Sequence, residues 1–235
     1  MSDNGTKSKL KGWRGVSEAL MNTLSTRTQL IRQLMDPRRD MDSECGYITD
    51  PQPEDFHNMY EREGVARRVV GIWPEECWQV EPEVWETEEP EDTAFEKAWK
   101  KLANNFHLYS EMSEADVMSG IGRFGIILLG LSGKEPLSVP VTGSGKRELV
   151  YTRVLDDSVV KVSSHDVNIQ SPRFGQPETY EVQFKEGEYS VNSQIVHWTR
   201  CIHVVDNRRK SLVYGESRMR PVFNRLQDLR LQWGH

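Results

Sequence analysis

Only a few side chains in this sequence have types and spacings that could do chemistry, and each group carries a partner requirement. His197-Trp198-Thr199 has the His-x-Thr form used by phosphoesterases that work with two histidines. That chemistry needs a second such element, so that one imidazole is the base and the other the acid on a phosphate. The other histidines stand in His57-Asn58-Met59, His107-Leu108-Tyr109, His165-Asp166-Val167 and His203-Val204-Val205, with His235 last, and none supplies it. Gly120-Ile121-Gly122-Arg123-Phe124-Gly125 has the glycine spacing of a dinucleotide loop. Such a loop must follow a strand and open a helix, whose N-terminus then faces the pyrophosphate. Here the glycines close a helix and open an apolar strand, so they are expected to form a helix C-cap and a tight turn. Gly143-Ser144-Gly145-Lys146 lacks the earlier glycine of a phosphate loop, with Pro140 in its place, and Arg147 stands where Ser or Thr is needed. A hairpin turn accounts for it.

Paired acids occur at Asp156-Asp157 and Glu75-Glu76 with no histidine at metal-ligand spacing, and Asp156-Asp157-Ser158 reads as a turn between strands. Cys45, Cys77 and Cys201 share no metal-ligand spacing, and three is an odd number, so they are expected to be reduced thiols. The expectation is therefore no catalytic residue, no cofactor and no metal. What remains is charge. From Glu75 to Asp92 acids recur without a lysine or arginine, whereas from Arg200 to Arg230 basic residues outnumber acids, within a formal net charge of −6. Arg208, Arg209 and Lys210, expected at a hairpin tip between Val205 and Leu212, fit a contact with DNA phosphates or with an acidic neighbour, and fit a solvated turn as well.

The elements that must position these residues follow from periodicity. Residues 1–15 read as a slightly basic arm, Val16–Met35 as a short helix, and Asp36–Pro53 as loop. From Glu54, apolar residues Phe56, Met59, Tyr60, Ala66, Val69, Val70 and Trp73 recur at helical steps, and Pro74 is expected to end that helix. Glu75–Pro90 reads as a strand followed by a loop, and Glu91–Leu108 as a second helix. Ser113 is the expected N-cap of a third. Phe124–Leu131 is a continuous apolar run and reads as a buried strand. Strands are also expected at Leu149–Leu155, Val159–Val162, Thr179–Phe184 and Gln194–Val205, the last two separated by a turn around Gly187. Gly215 is expected to open an amphipathic final helix. Trp73, Trp99, Phe106 and Trp233, at helical spacing, are expected in the core. Helices first, then strands, then a helix indicates α+β, with helices packed on a mostly antiparallel mixed sheet. No apolar run approaches the ~20 residues that span a bilayer, and no secretory signal opens the chain.

The order of several short motifs resembles the portal protein of tailed bacteriophages. Ser171 to Val182, with Pro177-Glu178-Thr179-Tyr180, is followed by Ile195-Val196-His197-Trp198-Thr199-Arg200-Cys201-Ile202, and then by Tyr214-Gly215-Glu216-Ser217. This is similar to a portal "Pro-Glu-x-Tyr" strand, an "Ile-His-x-Ser-Arg-Val-Ile" strand and a "Gly-x-Ser" leading into a helix; Thr199 replaces the Ser and Cys201 the Val. Tyr60–Trp73 resembles the portal helix with "Ala-Arg-x-Val-Val", the run containing Trp78 resembles the segment ending in "Trp-x-Val", and Glu114–Leu129 resembles the helix and Gly-rich turn before an apolar strand. The likeness covers roughly residues 54–233.

The resemblance implies a non-enzymatic ring subunit, dodecameric in the family, at one capsid vertex. Such a ring serves procapsid assembly, DNA packaging and DNA passage, in the virion and, during assembly, in the host cytoplasm. It implies as partners further copies of the chain, major capsid and scaffolding proteins, terminase, a head-tail adaptor and double-stranded DNA, with no membrane. It further implies an arm at residues 1–53 and a wing-like domain at 54–235, truncated at its C-terminal end relative to the family. Some relatives of this portal group carry anti-CBASS phosphoesterase names, so an enzyme working through His197 and Thr199 is one alternative. A prophage-remnant or adaptor protein that binds a protein partner is the other.

Overall fold

The computed structural model describes residues 21–32, 41–87, 93–142, 147–186, 189–190 and 192–233. The chain divides into two units, Met1–Thr49 and Asp50–His235. In the first, residues 21–32 form helix α1 and Met41–Glu44 one turn, α2. The remainder of the helix expected over Val16–Met35 lies outside the described residues.

In the second unit the first helical stretch is two helices, α3 (Pro53–Arg62) and α4 (Gly64–Cys77), and not one. Pro53 starts α3 where its missing N–H costs nothing, and the Asp55 carboxylate accepts the Gln52 N–H at 2.8 Å. Glu63, extended at φ −114° and ψ 120°, breaks the run between the two helices. Pro74 does not end α4; it is buried inside the last turn. Trp73, expected in the core, is 66% exposed. Residues 78–87 contain no strand, which corrects the strand expected after Glu75.

Helix α5 (Ala94–Phe106) is capped by Thr93, whose hydroxyl accepts the Glu96 N–H at 3.2 Å. His107 then takes the left-handed conformation (φ 50°, ψ 40°), and α6 (Leu108–Ile121) begins at once. Ser113 is therefore inside α6 and not its N-cap. Gly122 closes α6, and strand β1 (Gly125–Leu131) follows directly, as expected from the apolar run.

β1 is the centre of an antiparallel sheet in the order β2–β1–β8, with β2 at Leu149–Asp156 and β8 at Cys201–Val204. A second antiparallel sheet has the order β3–β4–β7, from Val160–His165, Pro177–Val182 and Gln194–His197. The short pair β5 (Lys185–Glu186) and β6 (Tyr189–Ser190) forms a separate ribbon. The class is α+β, with two three-stranded sheets where one mixed sheet was expected. The run Gln194–Val205 is split: a 3₁₀ turn at Trp198–Arg200 sends β7 into one sheet and β8 into the other. Gly215 opens no helix; a 3₁₀ turn at Arg220–Val222 leads into α7 (Phe223–Trp233). The turns expected at Gly143–Lys146 and around Gly187 lie outside the described residues.

Alternation along β1 assigns its two faces. Phe124, Ile126 and Leu128 enter a core with Leu155, Val160, Tyr180, Val182 and Val196, between the two sheets. Each such fully buried aliphatic contributes about 1.5–3 kcal/mol. On the other face Gly125 lies against α6, where an added Cβ would stand 2.7 Å from the Ala115 carbonyl oxygen. α6 is thus the helix that lies on the sheet; α4 and α5 pack on α6, and α3 packs on both α4 and α6. A second core joins Phe56, Met59, Ala66, Val70, Ile121, Met219, Phe223 and Leu226, with the Phe56 and Phe223 rings edge to face at 5.2 Å.

Candidate interface and the polar clasps beneath it

The polar residues that sequence reading left unassigned are those the fold gathers. Arg218 follows the Gly215-Glu216-Ser217 stretch and reaches back across the helical layer. Its guanidinium donates to Asp116 Oδ1 on α6 at 2.7 Å, to Asp206 Oδ2 at 2.5 Å and to the Val70 carbonyl at 2.9 Å. The third bond has a covalent cause. Proline at 74 has no N–H, so the carbonyl four residues earlier loses its helical donor, and that carbonyl is Val70's. Arg218 supplies the donor, which is how α4 continues through Pro74 to Cys77. Gly120 makes room: a Cβ there would stand 2.9 Å from Arg218 Cδ.

A second clasp joins α3 to the two turns flanking β1 and β2. Asp157, whose side chain is fully enclosed, accepts from the Arg123 N–H at 3.1 Å and from Arg123 Nε at 3.2 Å. His57 Nε2 lies 3.0 Å from Asp157 Oδ1, and His57 Nδ1 lies 3.5 Å from Asp156 Oδ2. Burial disfavours the charged imidazole, but the hydrogen bond to Asp157 and the charges of Asp156, Asp157 and Glu61 outweigh it, so the His57 pKa is raised. Burial likewise works against the Asp157 carboxylate and is outweighed by His57 and Arg123, so its pKa is lowered. Gly122 is again the space-maker, since a Cβ there would stand 2.0 Å from Asp157 Oδ1. All three glycines of the Gly-x-Gly-x-x-Gly run are therefore explained by close packing, in the inverted helix-to-strand context read from sequence.

His197 and Thr199 serve the 3₁₀ turn between the sheets. His197 Nδ1 accepts the Thr199 N–H at 3.3 Å and sits 3.0 Å from the Thr199 hydroxyl, which itself accepts the Val141 N–H at 2.9 Å. Burial and the positive charges of Arg173 and Arg200 lower the His197 pKa despite Glu178. His203 lies between the Tyr180 hydroxyl (3.2 Å from Nδ1) and the Val213 carbonyl (2.8 Å from Nε2), and burial lowers its pKa. Burial pushes the Cys201 thiol up to about 12, so it is not a nucleophile at neutral pH. Among the described residues no group of histidine, cysteine and acidic side chains converges as a metal site, and no helix is long and apolar enough to cross a membrane.

Arg208, Arg209 and Lys210 are exposed, but they lie in an irregular loop after β8, which corrects the expected hairpin tip. The loop is anchored on both sides: Gly215 N–H donates to the Arg123 carbonyl at 2.8 Å, and Arg218 holds Asp206. Arg209 reaches Glu216 at 3.4 Å, while Arg208 and Lys210 make no ion pair among the described residues. The acids of residues 75–86 are exposed as well, with Glu75 paired to Arg68. Neither set could have been located from charge runs alone. The one internal hint of the Arg218 clasp was a proline inside an otherwise helical pattern.

The family model described as "Phage portal protein" matches residues 54–231. A curated protein named "Anti-CBASS protein Acb1", from Caulobacter sp. (strain RHG1), is 23% identical over 206 residues, covering 84% of this chain and 32% of that relative. The chain thus spans about a third of the length of the relative it matches.

Proposed function

The chain belongs to the phage portal protein family, and on that premise we propose that it is a structural subunit of the portal ring at a capsid vertex, serving procapsid assembly, DNA packaging and DNA passage. The observation that carries this reading is the family match itself, which runs from α3 to α7 and so takes in both cores and both clasps. The geometry is in keeping with a structural part, because the buried Asp157 and the partly buried Arg218 each join separate elements. Further copies of the chain are its first partners; capsid and scaffolding proteins, terminase, a head-tail adaptor and double-stranded DNA follow from the family. In a ring, one patch must meet a different patch on the next subunit. The exposed acids after α4 and the basic loop Arg208–Lys210 are two such patches, of opposite sign.

Light scattering after size exclusion tests the reading: a ring-sized mass is expected, reduced when Arg208, Arg209 and Lys210 are all changed to Glu. A monomer under every condition, from this chain and from any longer product of the same gene, refutes it. The name of the Caulobacter relative favours one second reading, an anti-defence role. His197→Ala, assayed on cyclic and linear oligonucleotides, decides it: an activity lost in the variant establishes the enzyme. A wild-type chain with no such activity, copurifying with one host or phage protein and forming no ring, would instead favour an adaptor.

A further inference from the structure

Residues 80–85 lie against α5 and line with it a half-open cavity of about 520 Å³. Trp85, Trp99 and Tyr109 line it together with Glu81, Glu83 and Glu96. The aromatic wall is held rigid: Trp99 Nε1 donates to the Tyr109 hydroxyl at 3.0 Å, and that hydroxyl donates to the Pro82 carbonyl at 3.0 Å. Glu96 is only 5% exposed, yet its carboxylate accepts a hydrogen bond from one backbone N–H, that of Glu86, at 3.3 Å. Lys100 also lines the cavity, one helical turn on, but forms no ion pair with Glu96. A carboxylate removed from water with no counter-charge is costly unless a cation reaches it. Faces of tryptophan and tyrosine attract the same kind of group through their negative quadrupole.

We propose that this cavity is a socket for a basic side chain, and that its occupant is the Arg208–Lys210 loop of a second copy of this chain. The occupant follows from complementarity. Arg208 and Lys210 are exposed and unpaired among the described residues, and Leu212 beside them is exposed too, matching the exposed Val80 and Trp85 at the cavity rim. The identity of the occupant rests on the ring reading above; the cation chemistry of the socket does not.

The test uses the whole chain and a synthetic peptide of residues 204–214, with binding followed by indole fluorescence and calorimetry. Saturable binding is expected, weakened roughly tenfold by Trp85→Ala through loss of the aromatic face and also by Glu96→Gln, which keeps the side-chain shape. Glu83→Gln, at an exposed position, guards against a folding defect in Glu96→Gln. A peptide with both arginines and the lysine changed to Glu is expected not to bind. Equal binding of that peptide, or binding undiminished in both Trp85→Ala and Glu83→Gln, overturns the socket. A ring that forms normally from the Trp85→Ala chain, with peptide binding lost, overturns only the second copy as occupant. A wild-type chain that stays monomeric but binds the peptide supports the socket and counts against the ring.

Discussion

Replacing Arg218 with Met keeps the apolar stem and removes the three hydrogen bonds that tie α4, α6 and the 206 loop together. Asp116 and Asp206 are partly exposed and can recover water, so their shares are small. The Val70 carbonyl is different, because Val70 is fully buried and Pro74 offers no N–H. An orphaned buried acceptor costs about 1–3 kcal/mol, which with the two weakened ion pairs gives about 3 kcal/mol in all. Urea unfolding of wild type and variant measures this as a shifted midpoint at constant slope. The decisive comparison is a double-mutant cycle with Pro74→Ala. Alanine restores an N–H at 74, so Val70 regains a helical donor and Arg218→Met should become about 1 kcal/mol less harmful. If the cost of Arg218→Met is the same with Pro or Ala at 74, the account of how α4 passes through its proline is wrong.

The His57 clasp predicts a pH dependence. Because the folded pKa of His57 is raised, its stabilisation is fully present below the ordinary value of 6.5 and is lost as pH rises through the raised value. Asp157, with its pKa lowered, acts oppositely: its stabilisation is present above the ordinary carboxylate value and is lost in acid. Denaturation midpoints of the wild type should therefore fall as pH rises from 6.5 through the raised value, and His57→Gln should flatten that fall; an unchanged slope in the variant removes His57 as its cause. Gly215→Ala places a Cβ 1.9 Å from the Asp206 carbonyl oxygen, a backbone atom that no side-chain rotation relieves. A loss of about 3 kcal/mol or more is expected, and a variant that unfolds at the wild-type midpoint contradicts the packing described.

What could be read in advance was what repeats locally. Phe124–Leu131 declared itself as a buried strand because both of its faces are covered, one by α6 and one by the second sheet, so no polar residue interrupts it. The start of α6 was hidden for the opposite reason. His107 ends one helix and begins the next through a left-handed backbone, a conformation that histidine seldom signals, while Ser113 offered a plausible cap in the wrong place. The split of Gln194–Val205 was hidden too, since alternation continues on both sides of Trp198–Arg200 and only the change of partner strand reveals it. The clasps link residues about 100 or more positions apart, His57 to Asp157 and Arg218 to Asp116 and Val70, and no local pattern encodes such pairs. Arg208–Lys210 was visible as charge, but its irregular loop depends on the distant anchors at Arg123 and Arg218.

The division of one β-rich run between two sheets also governs how the molecule can come apart. β7 is an edge strand of its sheet and β8 an edge strand of the other, with only three residues between them. Peeling either edge must drag the Trp198–Arg200 turn, with its His197 and Thr199 bonds, and so load the neighbouring sheet. The two sheets are therefore expected to behave as one cooperative opening unit, with amides of β4 and β1 exchanging with solvent only in a shared, high-energy event. Such a seam distributes force across both sheets instead of letting one sheet unzip at a time.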